Sequence, residues 1–158
     1  MASVTLTLAD LPDYLRAKAA ALASPDLTPA LKVAQQLLVS ATKQNFAQGT
    51  DPDDVPWAPL KHPRSRARDR KPGRIGSDLV LRDTGVLMAS VTAAGAGSVQ
   101  EINQGKLSFG TSVFYAKFLN LGTKRMVQRR FLGLTPVLRQ RIGDAIRKRI
   151  VALVRGAR

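Results

Sequence analysis

The sequence predicts one α+β domain spanning residues 1–158: long helices near the N- and C-terminal ends, packed on a small antiparallel sheet, with a long basic loop. Three observations carry this. Thr28–Pro29 and Thr135–Pro136 each open a run whose apolar residues recur at helical spacing. The stretch between them holds short apolar–polar alternations separated by Gly-rich turns. Residues 61–78 combine dense positive charge with no periodicity at all.

Length and composition agree with a single core. At 158 residues and 44% hydrophobic content, a domain buries roughly 68–70% of the surface its unfolded chain exposes. Cysteine is absent, which removes disulfides, thiol catalysis and zinc–thiolate sites together. No run approaches the roughly 18 apolar residues of a membrane span. The opening MASVTLTLADLPDYL lacks the basic and apolar regions of a signal peptide. The expectation is a soluble protein made in the cytoplasm, with no membrane partner.

Along the chain, Val4, Leu6 and Leu8 alternate as a short strand does. Asp10 is placed to cap a helix to about Ala23, with Pro12 in its first turn. Ser24–Pro25–Asp26 breaks that pattern. Thr28 as cap and Pro29 at the first position then open a helix to about Gln48, with Leu31, Ala34, Leu37, Leu38, Ala41 and Asn45–Phe46 on one face. Gly49 closes it. Residues 50–60 hold three prolines and three aspartates, which exclude regular structure. Trp57 and Leu60 are expected to dock this segment on the core.

Residues 61–78, KHPRSRARDRKPGRIGSD, read as a loop that is mobile in the free monomer. Asp83 or Thr84 is placed to cap a short helix at 84–90. A strand is expected around 90–93, a Gly/Ala-rich turn at 93–98, and strands near 98–103 and 106–112. Val113–Leu121 reads as a short helix stopped by Gly122, and Thr123–Arg130 as a basic loop. Phe131–Leu134 re-enters the core. The last helix, opened by Thr135, runs to about Val154 with Leu138, Ile142, Ala145, Ile146, Ile150 and Leu153 on one side. Arg139 and Arg149 intrude on that face.

The net charge of +14 is unevenly spread. Residues 61–74 carry 7 basic residues against one acidic, and residues 124–158 carry 11 against one. The remainder is near neutral. Arg64, Arg66, Arg68 and Arg70 alternate with small or polar residues, so an extended chain would point them to one side. With Lys71, Arg74, Lys124, Arg125, Arg129 and Arg130 they are the candidate subunit-interface or DNA-facing residues. Contacts of this kind with phosphates are salt-sensitive and blind to sequence. Aromatic interleaving, the mark of single-strand stacking, is missing.

Catalytic chemistry finds little to work with. The one histidine, His62, lies between Lys61 and Pro63 in the basic loop, without the partner and pocket a general base needs. Asp51, Asp53 and Asp54 lack the closing bidentate carboxylate of a calcium loop, and turn chemistry explains them better. No nucleophile elbow and no phosphate-binding Gly-rich loop occurs. The expectation is no catalytic residue, no metal and no cofactor.

Three segments, in order, carry a resemblance. The first is Phe46, Gly49, Asp51-Pro52-Asp53 and Pro56-Trp57-Ala58-Pro59-Leu60. The second is Leu81-Arg82-Asp83-Thr84-Gly85-Val86-Leu87-Met88-Ala89-Ser90-Val91. The third is Phe109-Gly110-Thr111, Tyr115-Ala116, Leu119-Asn120-Leu121-Gly122-Thr123 and Arg129-Arg130-Phe131-Leu132-Gly133-Leu134. Together they resemble the phage virion-morphogenesis, or tail-completion, family of tailed bacteriophages, over residues 27–155. In that family a glycine more often stands where this chain has Asp54, and another where it has Thr123. The resemblance implies a structural virion protein of the tail or neck. It implies a ring, a hexamer in the favoured form, that joins head to tail against other neck, connector and tail proteins. It implies no catalytic residue, and it makes Phe46, Trp57, Leu60, Leu81, Leu87, Tyr115, Phe131 and Leu134 structural anchors. The alternative is a basic nucleic-acid-binding module without enzymatic activity; a small nuclease or wall-degrading enzyme is the remaining class.

Overall fold

The structure, a computed structural model, describes residues 25–60, 80–103 and 105–156, together with Ala23. The strand expected at 4–8, the helix expected at 10–23 and the basic loop expected at 61–78 lie outside the described residues. So do Arg64, Arg66, Arg68, Arg70, Lys71 and Arg74.

Helix α1 spans Thr28–Gln48. It starts one residue earlier than the Thr–Pro pattern implies. Leu27 occupies the cap position, and the Thr28 N–H donates to Asp26 Oδ1 at 3.0 Å. Asp26, not Thr28, therefore supplies the acceptor at this end. The far end follows expectation: Gly49, at φ 73°, closes the helix through its N–H to the Asn45 carbonyl.

Helix α2 spans Val86–Thr92. It absorbs the strand expected around 90–93, which does not form. β-branched Val91 and Thr92 suggested extended chain, but Leu87, Ser90 and Val91 sit at helical spacing and all three are buried. Ser90 bonds the Leu87 carbonyl and the Thr111 hydroxyl, each at 2.8 Å. Burial of that stripe outweighs a local preference worth well under about 1 kcal/mol per residue. The cap is Gly85, one residue beyond the two candidates, with Thr84 Oγ1 accepting from the Val86 N–H at 3.4 Å.

Strands β1 (Ser98–Asn103) and β2 (Lys106–Thr111) form an antiparallel hairpin, Ser98 opposite Thr111 and Asn103 opposite Lys106. Nearly all of β2 is half-buried rather than alternating cleanly, because α1 and α2 both pack on the hairpin. Gln35 of α1 donates to Gln100 of β1 at 3.0 Å, and Gln100 donates to the Val91 carbonyl at 3.4 Å. Helix α3 spans Ala116–Leu121, shorter at its start than the apolar run from Val113, and ends at Gly122.

Helix α4 spans Pro136–Gly156. Its first turn is capped as expected, Thr135 Oγ1 accepting from the Leu138 N–H at 3.2 Å. It joins the fold mainly along α1, running antiparallel: Leu138 lies near Asn45, while Arg149 near the other end reaches Asp26. Only Leu138 of its apolar face is fully buried; Ile142, Ala145, Ile146, Ile150 and Leu153 are half-buried. The core is Phe46, Trp57, Leu87, Val91, Ala116 and Phe131, which joins α1, the 50–60 segment, α2, α3 and the chain entering α4.

Candidate functional site

The 50–60 segment is irregular but tightly held. Asp51 Oδ1 accepts from the Asp53 and Val55 N–H groups, both at 2.9 Å, which is the turn chemistry its sequence suggests. Asp54 adopts φ 62°, the left-handed conformation glycine takes most easily. This is the position where the resemblance leads one to expect glycine. Trp57 is buried edge-on against Phe46, ring centroids 5.4 Å apart, and its Nε1–H donates to the Arg130 carbonyl at 2.8 Å.

Residues 129–133 grip that segment from the other side. Arg129 donates through Nε to the Ala58 carbonyl at 2.8 Å and through Nη2 to the Pro59 carbonyl at 2.9 Å. Arg130 pairs with Asp53 and, at 3.6 Å, with Asp51. Phe131 is 1% exposed and its N–H, with that of Leu132, is accepted by Asn120 Oδ1 at 3.0 and 3.1 Å. Gly133 presses on Pro52 so closely that a Cβ there would lie 2.8 Å from the proline ring.

Of the candidate contact residues, then, Arg129 and Arg130 engage their own chain, while Lys124 and Arg125 are exposed at the tip of the Thr123–Met126 turn. Thr123, where the family pattern has glycine, holds that turn by accepting from the Arg125 and Met126 N–H groups at 3.3 and 3.0 Å. Among the anchors, Phe46, Trp57, Leu87 and Phe131 are buried. Leu60, Leu81 and Tyr115 line a cavity of about 450 Å³ beside the core, and Leu81 turns into it with φ 63°. Leu134 is a correction: it is 47% exposed, because the chain leaves the core at Gly133 to start α4.

Two features escaped the sequence reading. Arg141, Lys148 and Arg155 recur every seven residues on α4, and all three are exposed. They form a basic stripe about 20 Å long. Heptad spacing of like charge was the available signal. The second is an apolar surface: Phe114, Phe118, Leu121, Met126 and Val127 are all exposed. Three of them, at 114, 118 and 121, follow helical spacing, which the sequence presents as a core face.

A model of the phage virion morphogenesis family matches residues 10–151. The chain belongs to this family. It is a phage structural or assembly protein, and the segments just described hold together the scaffold of a virion morphogenesis protein. No curated protein and no solved structure matches the chain. Among the described residues of this morphogenesis protein, no helix is long and apolar enough to cross a membrane.

Proposed function

We propose that this protein completes the tail or neck of a tailed phage, joining head to tail as one subunit of a homo-oligomeric ring, a hexamer in the favoured form. It acts without enzymatic activity or cofactor, through contacts with copies of itself and with other neck, connector and tail proteins. The observation that carries this reading is the family match across residues 10–151. Two features of the surface support it. Large apolar side chains are exposed around α3, as in subunits whose contacts form only on assembly. Positive charge is concentrated at residues 61–74 and on the exposed stripe of α4, as suits sequence-independent contact with packaged DNA.

Two measurements on the full-length chain test this. Light scattering is expected to give a multiple of the 17.1 kDa protomer, with closed rings in electron micrographs. Labelled antibody is expected to mark the head–tail junction of particles. A chain that stays monomeric and is absent from particles contradicts it.

The net charge of +14 supports a second reading, an independent nucleic-acid-binding module. That reading requires measurable sequence preference in addition to a steep salt slope. Weak binding without preference rules it out.

A further inference from the structure

We propose that the outer face of α4 is a contact site for duplex DNA, made through the phosphates by Arg141, Lys148 and Arg155. This rests on the structural role above for the presence of DNA, and it names the element that meets the duplex.

Three observations point to this face. The first is where the charge lies. α4 carries six basic residues against one acidic, and no other described helix or strand carries more than two basic residues. The second is which of the six are already engaged. Arg149 is held by the Asp26 carbonyl at 2.9 Å and by its carboxylate at 3.3 Å, and Arg147 pairs with Asp144 at 3.6 Å. Arg141, Lys148 and Arg155 are exposed and make no hydrogen bond or ion pair among the described residues. The third is their alignment. A heptad step turns a helix to within about 20° of its start, so the three share one side at intervals of about 10 Å. Arg139 stands about 160° round from Arg141 and leaves the stripe.

The occupant follows from the chemistry of the face. α4 has no aromatic and no methionine side chain, so it lacks both the anchors that centre protein contacts and the rings that stack single-stranded bases. What it offers is a straight row of solvated cations. Duplex DNA presents about one negative charge per 1.7 Å of axis, hence about a dozen along the stripe. Cations about 10 Å apart then meet phosphates in any register, and the contact reads no sequence. Asp144, within about 60° of Arg141 around the helix, is the one group that opposes it. Its pairing with Arg147 mutes both charges.

The salt dependence of binding tests this face. Full-length chain is titrated with two short duplexes of unrelated sequence over a range of salt. Each lost phosphate contact flattens the slope of log K against log salt by about 0.9. Arg141→Gln/Lys148→Gln/Arg155→Gln is therefore expected to flatten it by about 2.7. The control, Lys43→Gln/Lys106→Gln/Lys117→Gln, removes the same charge from exposed positions outside α4 and is expected to change the slope by less than about 0.5. Asp144→Asn is expected to steepen it, a gain that misfolding cannot produce. If the stripe variant unfolds at lower temperature than its parent, Lys148→Gln alone replaces it, with an expected flattening of about 0.9. Equal flattening by both triple variants, or none by the first, overturns the proposal. So does a preference between the duplexes, or tighter binding of single strands or of polyglutamate, which stands in for an acidic protein. The mass of the unsubstituted chain separates the two readings. A ring whose slope the stripe leaves unchanged removes the DNA contact alone; a monomer whose slope falls removes the ring and keeps the contact.

Discussion

Two neighbouring stretches invert the usual rule of charge outside and apolar inside. In residues 129–133, Arg129 and Arg130 are spent on carbonyls and carboxylates of their own chain. In residues 114–127, just before them, Phe114 and Leu121 face outward. The first stretch is framework, both of its guanidinium groups bonded to their own chain. The second is apolar surface that stays exposed among the described residues. A count of basic or apolar residues cannot separate such cases; only the partners of each side chain do.

Substitution in the framework sets the upper end of the expected effects. Trp57→Ala removes a buried ring and the donor to the Arg130 carbonyl, with an expected loss of about 3–5 kcal/mol in denaturant unfolding. Arg129→Ala is expected to cost about 2 kcal/mol, since two carbonyls lose a charged donor. Arg129→Lys recovers little, because an ammonium cannot copy the forked geometry. Lys124→Ala, at the exposed turn, is expected to stay within about 0.5 kcal/mol. If Arg129→Ala is equally mild, the two stretches do not differ in the way described.

Smaller effects sharpen the same contrast. Asp54→Gly keeps the turn and relieves the left-handed backbone at φ 62°; a gain of about 0.5 kcal/mol is expected in the same unfolding measurement. The smallest concerns Asp26. Hydrogen bonds from the Thr28 side chain and backbone, with Arg149 beside them, hold its carboxyl below the usual value. A depressed folded value means the contribution is present above about pH 4, the ordinary carboxylate range, and is lost as pH falls through the folded value. The stability–pH curve of Asp26→Asn is expected to be correspondingly flatter in that acid window.

Much of the framework was legible because its signals are local. Thr135–Pro136, Gly49 and the hairpin strands act within a few residues, and periodicity reports them directly. Where tertiary contact decided, reading failed. Val91 and Thr92 look like strand residues, yet they close a helix whose buried stripe faces the hairpin. Arg129 and Arg130 look like free charge, yet their acceptors lie 70 or more positions earlier in the chain. Phe118 and Leu121 look like core for the same reason: helical spacing marks an apolar face but not what covers it. Leu134 looks like an anchor because it continues an apolar run; the exit of the chain at Gly133 leaves it 47% exposed.

The claim that residues 114–127 form an assembly surface has one direct measurement. Leu121→Lys changes an exposed side chain at the end of α3, where a cation suits the helix C-terminus, so the protomer is expected to stay within about 0.5 kcal/mol of its parent. Burying that ammonium under a partner is costly. Light scattering at matched concentration is predicted to give a ring mass for the parent and a protomer mass for the variant, with unchanged unfolding. The same ring mass for both would contradict the account.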